Sequence, residues 1–240
     1  MQRVSGNSQG LISTGSTRLD QLLGGGIRAG MLTDIYGESG SGKTQLCFTL
    51  AANCIKKNNG KVIFVDTAGT FRPERILEIG GSSDVLEGVT VLRAFGTGDQ
   101  QNILKKIPEF EPHLLIVDSA TSLFSVEYSG PARHLAVMKY LHELALFAIA
   151  SRCAVVITNM IRAVPSPSAD RSFADSGSQR NASYQREYMG SSVSILSHYK
   201  IRLEIVNSAA SLFRAIIVQP PRQVPVEFTI LREGVSNVVT

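Results

Sequence analysis

Hydrophobic positions along the chain alternate between two spacings. Short apolar runs of strand length recur at Met31–Tyr36, Lys61–Asp66, Val89–Phe95, His113–Ser119 and Ala154–Asn159. Between them, apolar residues return every three or four positions, the spacing of one helix face. These helical segments are Thr44–Lys57, Phe71–Ile79, Asp99–Ile107 and 132–150, the last marked by Leu135, Met138, Leu141, Ala145 and Ala148. Pro73 is tolerated in a first helical turn, where backbone N–H groups lack partners anyway. A short helix over 16–23 places Leu19, Leu22 and Leu23 on one side and stops at Gly24-Gly25-Gly26, a glycine stop signal. Such alternation predicts an α/β fold, a mostly parallel central sheet with helices on both faces. After Asn159 the pattern changes. Residues 161–190 are rich in Ser, Arg, Asp and Pro without an apolar period, and are read as a long functional loop or a disordered segment. Lys200–Val206, Ser211–Gln219 and Val226–Leu231 predict strands that extend the sheet in antiparallel fashion at the C-terminal end. With no internal repeat or linker, residues 11–240 read as one domain behind a flexible, polar segment 1–10.

Composition narrows this picture modestly. A chain of 240 residues with 43% hydrophobic content can build a large core, and its net charge of +4 permits nucleic-acid binding without arguing for it. Cys47, Cys54 and Cys153 form no CxxC pair, so they are expected to be buried thiols in a reducing cytosol rather than disulfides or zinc ligands. His113, His134, His142 and His198 show no metal spacing and are expected to be structural. The N-terminus lacks an apolar stretch of signal-peptide type, and no run reaches the ~20 apolar residues of a membrane span. A cytoplasmic protein without membrane contact is expected.

The chemistry is carried first by Gly37-Glu38-Ser39-Gly40-Ser41-Gly42-Lys43-Thr44, a GxxxxGK[ST] motif between a predicted strand and a predicted helix. Glycines there let backbone N–H groups and a helix N-terminus close around phosphate. Lys43 supplies positive charge to the β- and γ-phosphates, and Thr44 offers its hydroxyl to Mg²⁺. Gln45, next on the helix, joins the same nucleotide-binding set. Asp118 closes the apolar strand Leu114-Leu115-Ile116-Val117, the position of a carboxylate that holds Mg²⁺ through water. ATP and Mg²⁺ are the expected ligands.

Further stretches carry a family resemblance. Val65-Asp66-Thr67-Ala68-Gly69-Thr70-Phe71-Arg72-Pro73-Glu74-Arg75, Leu115–Thr121 and Val155–Asn159 resemble the RecA/RadA recombinases, as do Ser13–Gly25 and Pro225–Val235. The likeness runs from about residue 11 to the end, in the family's motif order. It implies a RecA-like P-loop NTPase core. It also implies that Arg75 stacks on adenine, a contact guanidinium groups make with planar rings.

Departures from the recombinase pattern point to one branch. The family's turn reads DTEGTF, and its Glu orients the attacking water; here Ala68 stands there, and a methyl group accepts no proton. The γ-phosphate-sensing Gln is replaced by Met160, whose thioether is no polar relay. No catalytic residue is therefore assigned. The N-terminal helical domain and the Phe-x-x-Ala linker of the recombinases are not found, the first DNA loop near Tyr128-Ser129-Gly130 is shorter, and Pro220-Pro221 replaces the acid of the neighbour-facing ATP cap. A core of this kind resembles RadB, the archaeal recombinase paralog. The resemblance implies a recombination and repair accessory factor with weak or absent ATP hydrolysis, a RadA-type recombinase as partner, and a monomer or small homo-oligomer.

The segment from Ile161 to Tyr188 matches in position the second DNA loop of the recombinases. Arg162, Arg171, Arg180 and Arg186 alternate there with Phe173, Tyr184 and Tyr188, cations for phosphate and rings for base stacking. Asp170, Asp175 and Glu187 lower its net charge to +1, so weak, salt-sensitive binding of single-stranded DNA is expected. Two other readings stay open. One is a competent DNA-dependent ATPase using Glu38 or Glu127 as base. The other is a KaiC-like signalling ATPase, which shares the Leu-Asp-x-Leu-Leu-Gly-Gly-Gly opening from Leu19.

Overall fold

In the computed structural model, residues 10–165, 183–221 and 224–238 are described. The elements in chain order are β1 (Leu11–Ile12), α1 (Thr17–Leu22), β2 (Ile27–Arg28), β3 (Leu32–Gly37), α2 (Lys43–Asn58), β4 (Val62–Asp66), α3 (Pro73–Gly80) and α4 (Asp84–Glu87). Then come β5 (Val89–Arg93), α5 (Thr97–Lys106), a 3₁₀ turn (Ile107–Phe110), β6 (Leu114–Asp118), α6 (Ser122–Glu127), α7 (Gly130–Ser151) and β7 (Ala154–Pro165). The C-terminal part holds β8 (Ser183–Glu187), α8 (Gly190–Leu196), β9 (Tyr199–Asn207), β10 (Leu212–Gln219), β11 (Val226–Leu231) and β12 (Gly234–Asn237).

One large sheet organises the molecule, in the order β12-β11-β10-β9-β3-β7-β6-β4-β5, with β8 paired to β7 outside this path. Strands from β9 to β5 along this order run parallel, and β9 to β12 run antiparallel. The expected α/β architecture is thus present, with antiparallel strands at its C-terminal end, but the first expected extension strand, Lys200–Val206 within β9, joins β3 in parallel, and the antiparallel pairing begins at β10. Alternating side chains explain why both faces must be covered. Phe64, Ile116 and Val156 point into one core with α2 and α3, while Ile63, Leu115 and Val155 enter a second core with α7. In the first core Phe48, Phe64 and Phe71 form an aromatic trio with centroids 5.0–5.7 Å apart, a spacing that adds to simple burial.

The far edge of the sheet is closed by the start of the chain. Ser16 caps α1 by accepting from Leu19 N–H at 3.3 Å, and its hydroxyl donates to Asn237 Oδ1 on β12 at 2.9 Å. Gly15 has φ +94, and a Cβ there would lie 2.2 Å from the Val235 carbonyl oxygen. Only glycine permits this approach.

The expectation for residues 161–190 needs correction. Ile161–Pro165 continue β7, and Ser183–Glu187 form β8, which pairs antiparallel with it from Ile161↔Glu187 to Pro165↔Ser183. The ends of the segment are a hairpin, invisible to a search for apolar periodicity because neither strand alternates hydrophobic with polar residues. Gly190–Leu196 adds helix α8. Also unforeseen were the β1–β2 pair, α4, α6 and β12, all short elements. The three cysteines are free and buried. No helix among the described residues is long and apolar enough to cross a membrane.

Candidate nucleotide site

In an open parallel sheet, ligands settle at the carboxyl ends of the strands. Four neighbouring strands deliver the site there. β3 ends at Gly37, level with Met160 of β7, and Asp66 ends β4 beside Asp118 at the end of β6. Residues 38–42 form the loop between β3 and α2. Gly42 is left-handed with φ 90, and a Cβ on it would come within 2.5 Å of Ile230 Cδ1, so the tight loop requires glycine.

Lys43 folds over this loop, its Nζ donating to the carbonyls of Gly37 at 3.0 Å and Glu38 at 2.6 Å. Burial lowers its pKa, and the Asp118 carboxylate opposes that shift. A polyanion entering the loop would compete for the same ammonium.

Asp118 is 6% exposed and collects hydroxyls. Thr44 Oγ1 donates to its Oδ2 at 2.6 Å and Thr70 Oγ1 at 3.4 Å, while Thr158 Oγ1 donates to Oδ1. Thr44 and Asp118 therefore meet. Their donor set is all oxygen and small, which suits Mg²⁺, an ion that completes its shell with phosphate and water. No cluster of three or more His, Cys, Asp or Glu among the described residues suggests another metal.

The turn after β4 is organised by Asp66, which accepts from the N–H groups of Ala68 at 3.2 Å, Thr70 at 3.0 Å and Phe71 at 3.2 Å. It stands ordered with a methyl group at position 68. Ala68 and Met160 both line a cleft of about 420 Å³, together with Lys43, Thr44, Thr70, Asp118, Phe213 and Ile230. Asp118 is the one carboxylate among its described lining residues. Thr67 ties the ends of β4 and β6 together, its Oγ1 accepting from Ser119 N–H at 2.8 Å and donating to Ser119 O at 2.9 Å.

Of the other expected residues, Ser39, Gly40, Gly42 and Gln45 line the cleft; Glu38 does not. Glu127 is engaged elsewhere, accepting from Thr97 N–H at 2.8 Å and from the Thr97 hydroxyl. Arg75 lies beside the P-loop helix rather than on the cleft wall. Its Nε donates to Gln45 Oε1 at 2.7 Å, and its Nη1 to Glu78 Oε2 and to the Arg232 carbonyl, both at 2.7 Å. The histidines serve as local partners: His113 Nδ1 accepts from Lys61 N–H and His198 Nδ1 from Leu32 N–H, each at 3.1 Å. On the hairpin, Arg162 of β7 stands opposite Arg186 of β8, and Tyr184 opposite Val164. Arg171, Phe173 and Arg180 lie outside the described residues, as do the side chains of Arg162, Tyr184 and Arg186.

Sequence reasoning missed the hydroxyls gathered around Asp118 and the apolar wall of Phe213 and Ile230. Thr70 and Thr158 sat inside quoted motifs, but they lie 48 and 40 positions from Asp118, so nothing local in the sequence joined them to it. Phe213 and Ile230 gave no signal either, since only the sheet topology brings β10 and β11 to the P-loop.

Comparison with known proteins agrees with this geometry. The Rad51 family model matches residues 8–179. The chain is 41% identical over 168 residues to "DNA repair protein RAD51 homolog B" of Zea mays, covering 62% of this chain and 49% of that protein. It is 41% identical over 168 residues to "DNA repair protein RAD51 homolog 1" of Arabidopsis thaliana, with the same coverage of 62% and 49%. Against "DNA repair and recombination protein RadA" of Cenarchaeum symbiosum it is 39% identical over 176 residues, 66% of this chain and 44% of that one. The chain spans about half the length of the curated relatives it matches. With the P-loop, the Asp118 carboxylate and the strand order in place, the chain belongs to the Rad51 family.

Proposed function

We propose that this chain binds Mg–ATP, hydrolyses it slowly or not at all, and acts as an accessory factor in DNA recombination and repair in the manner of RadB. Its partners in this reading are a RadA-type recombinase and, weakly, single-stranded DNA held along the β7–β8 hairpin. The P-loop N–H groups and Lys43 would hold the phosphates, and Thr44 with Asp118 would hold Mg²⁺. The ion, when bound, neutralises phosphate charge. ATP then acts as a conformational ligand more than as fuel.

The observation that carries this reading is the cleft wall at Ala68. A methyl group stands where a base would orient water, and the only carboxylate in the described lining is Asp118, already bonded by three threonines. Loss of a general base typically costs 10²–10⁴-fold in rate. Glu127, bonded to Thr97, and Glu38, outside the lining, are poorly situated to replace it, which weakens the competent-ATPase reading. The match to the Rad51 model favours the recombinase branch over a KaiC-like signalling ATPase.

Nucleotide binding and turnover measured side by side test the reading, with and without single-stranded DNA. Tight binding with turnover well under about 1 s⁻¹ is expected; faster turnover would sink the weak-hydrolysis claim. Lys43→Ala should abolish binding, and unchanged binding in that variant would refute the site itself.

A further inference from the structure

The interior holds one ammonium between two carboxylates. Lys200 on β9 is 2% exposed and Asp34 on β3 0%, and the two face each other in register across neighbouring strands. Lys200 Nζ lies 3.0 Å from Asp34 Oδ2 and donates to both oxygens of Glu187 at 2.7 and 2.6 Å. It also sits 4.9 Å from the centroid of the Tyr36 ring. Glu187 comes from β8, the strand that pairs with β7 alone. Gly190 leaves room for it, since a Cβ there would lie 2.7 Å from Glu187 Oε2.

The same carboxylate reaches the nucleotide cleft by a short path. Asn159 on β7 donates to Glu187 Oε1 at 3.0 Å and to the Tyr188 carbonyl at 2.7 Å. The residue before it, Thr158, donates to Asp118 Oδ1. Adjacent residues of a strand point to opposite faces, so β7 touches the magnesium carboxylate on one side and the hairpin anchor on the other. Met160, next in line, cannot pass a hydrogen bond from nucleotide to hairpin.

We infer that Lys200 and Glu187 form a buried latch that positions the base of the β7–β8 hairpin against Asn159, coupling the hairpin to the nucleotide cleft by a route that bypasses Met160. A buried charge stripped of its partner is costly, so neither residue leaves its place alone. Neither lines the cleft, and both are positioning residues. The coupling half of this inference rests on the reading that the cleft holds Mg–ATP; the latch itself does not.

Hydrogen exchange on the full chain separates the two. The reporter is the Tyr188 amide, which donates to the Met160 carbonyl at 2.8 Å, with α7 amides as internal reference. In nucleotide-free protein, Lys200→Met should speed exchange at Tyr188 by about tenfold or more while α7 stays unchanged, and Lys200→Arg should restore protection. With Mg–ATP added, the variant should bind nucleotide as the native chain does, but its hairpin exchange should no longer respond. Should Lys200→Met fail to fold, Glu187→Gln carries the same expectations. Unaltered Tyr188 exchange, or equal acceleration in α7 and the hairpin, overturns the latch. If native protein binds no Mg–ATP, the functional reading fails while the nucleotide-free comparison still decides the latch.

Discussion

Thr44 Oγ1 donates to Asp118 Oδ2 at 2.6 Å, joining the first residues of the P-loop helix to the last residue of β6. A hydroxyl and a carboxylate so placed compete with each other for a cation and can share one. Asp118→Asn keeps the shape and removes the charge. Hydrogen bonds to charged groups contribute about 1.5–3 kcal/mol, so ATP should lose roughly 10–100-fold of its magnesium-dependent affinity. Calorimetry with Mg²⁺ and with EDTA measures this; a variant that keeps the full magnesium effect would exclude Asp118 from the proposed metal site.

Ala68 offers the converse experiment. The turn around it is already set by Asp66, which accepts three backbone N–H groups. Ala68→Glu therefore adds a carboxylate to an ordered cleft wall rather than reshaping it. Hydrolysis should rise by about 10²-fold or more, with ATP affinity little changed. A flat rate would mean that another missing part, such as the polar group at position 160, limits turnover.

Much of this was legible in the chain. The P-loop, Asp118 and five of the six parallel strands announced themselves because each is local: a motif, or an apolar run with turn signals around it. What escaped depends on pairing across distance. β8 is polar, and only its partner β7 makes it a strand. Helix α6, Ser122–Glu127, is held by Phe124, which is fully buried, a tertiary reason that propensity does not show. Lys200 read as the polar start of a strand, while Asp34 within Met31–Tyr36 was an acid in an apolar run. That acid was the visible hint of a buried cation, but its partner lies 166 positions away.

Burial pushes the Asp34 carboxyl well above the ordinary carboxylate range; Lys200 opposes the shift, and Glu187 adds to it. The native carboxyl therefore binds a proton more tightly than the unfolded chain, whose carboxyl titrates near 3.8. Stability from this site is complete below that pH and declines as pH rises through the raised native value. The Tyr36 phenol, pushed up to about 12 by burial, stays neutral below that. Asp34→Asn mimics the protonated group and should flatten the decline. Urea unfolding at a series of pH values checks this, and parallel curves for native and variant chains would count against it.

Arg162 and Arg186 stand opposite each other at the start of the hairpin. If both neutralise phosphates, Arg162→Ala with Arg186→Ala should weaken single-stranded DNA binding across all sequences. The slope of log affinity against log salt should then shrink by about 0.7 for each lost contact. Fluorescence anisotropy over a salt series reads the slope; an unchanged slope would place the DNA elsewhere.

The bond from Ser16 to Asn237 spans 221 positions of sequence. It shapes how the molecule is made as well as how it stands. The strand that completes the far edge is synthesised long after the helix that seals it. Contacts of such long range must wait for loop closure and slow the search for the native state. A nascent chain lacking β12 would carry an open row of unpaired backbone groups on β11, the kind of edge that recruits other chains. For this sheet the pairing of β12 with β11, rather than formation of the P-loop, is the step that closes the edge against other chains.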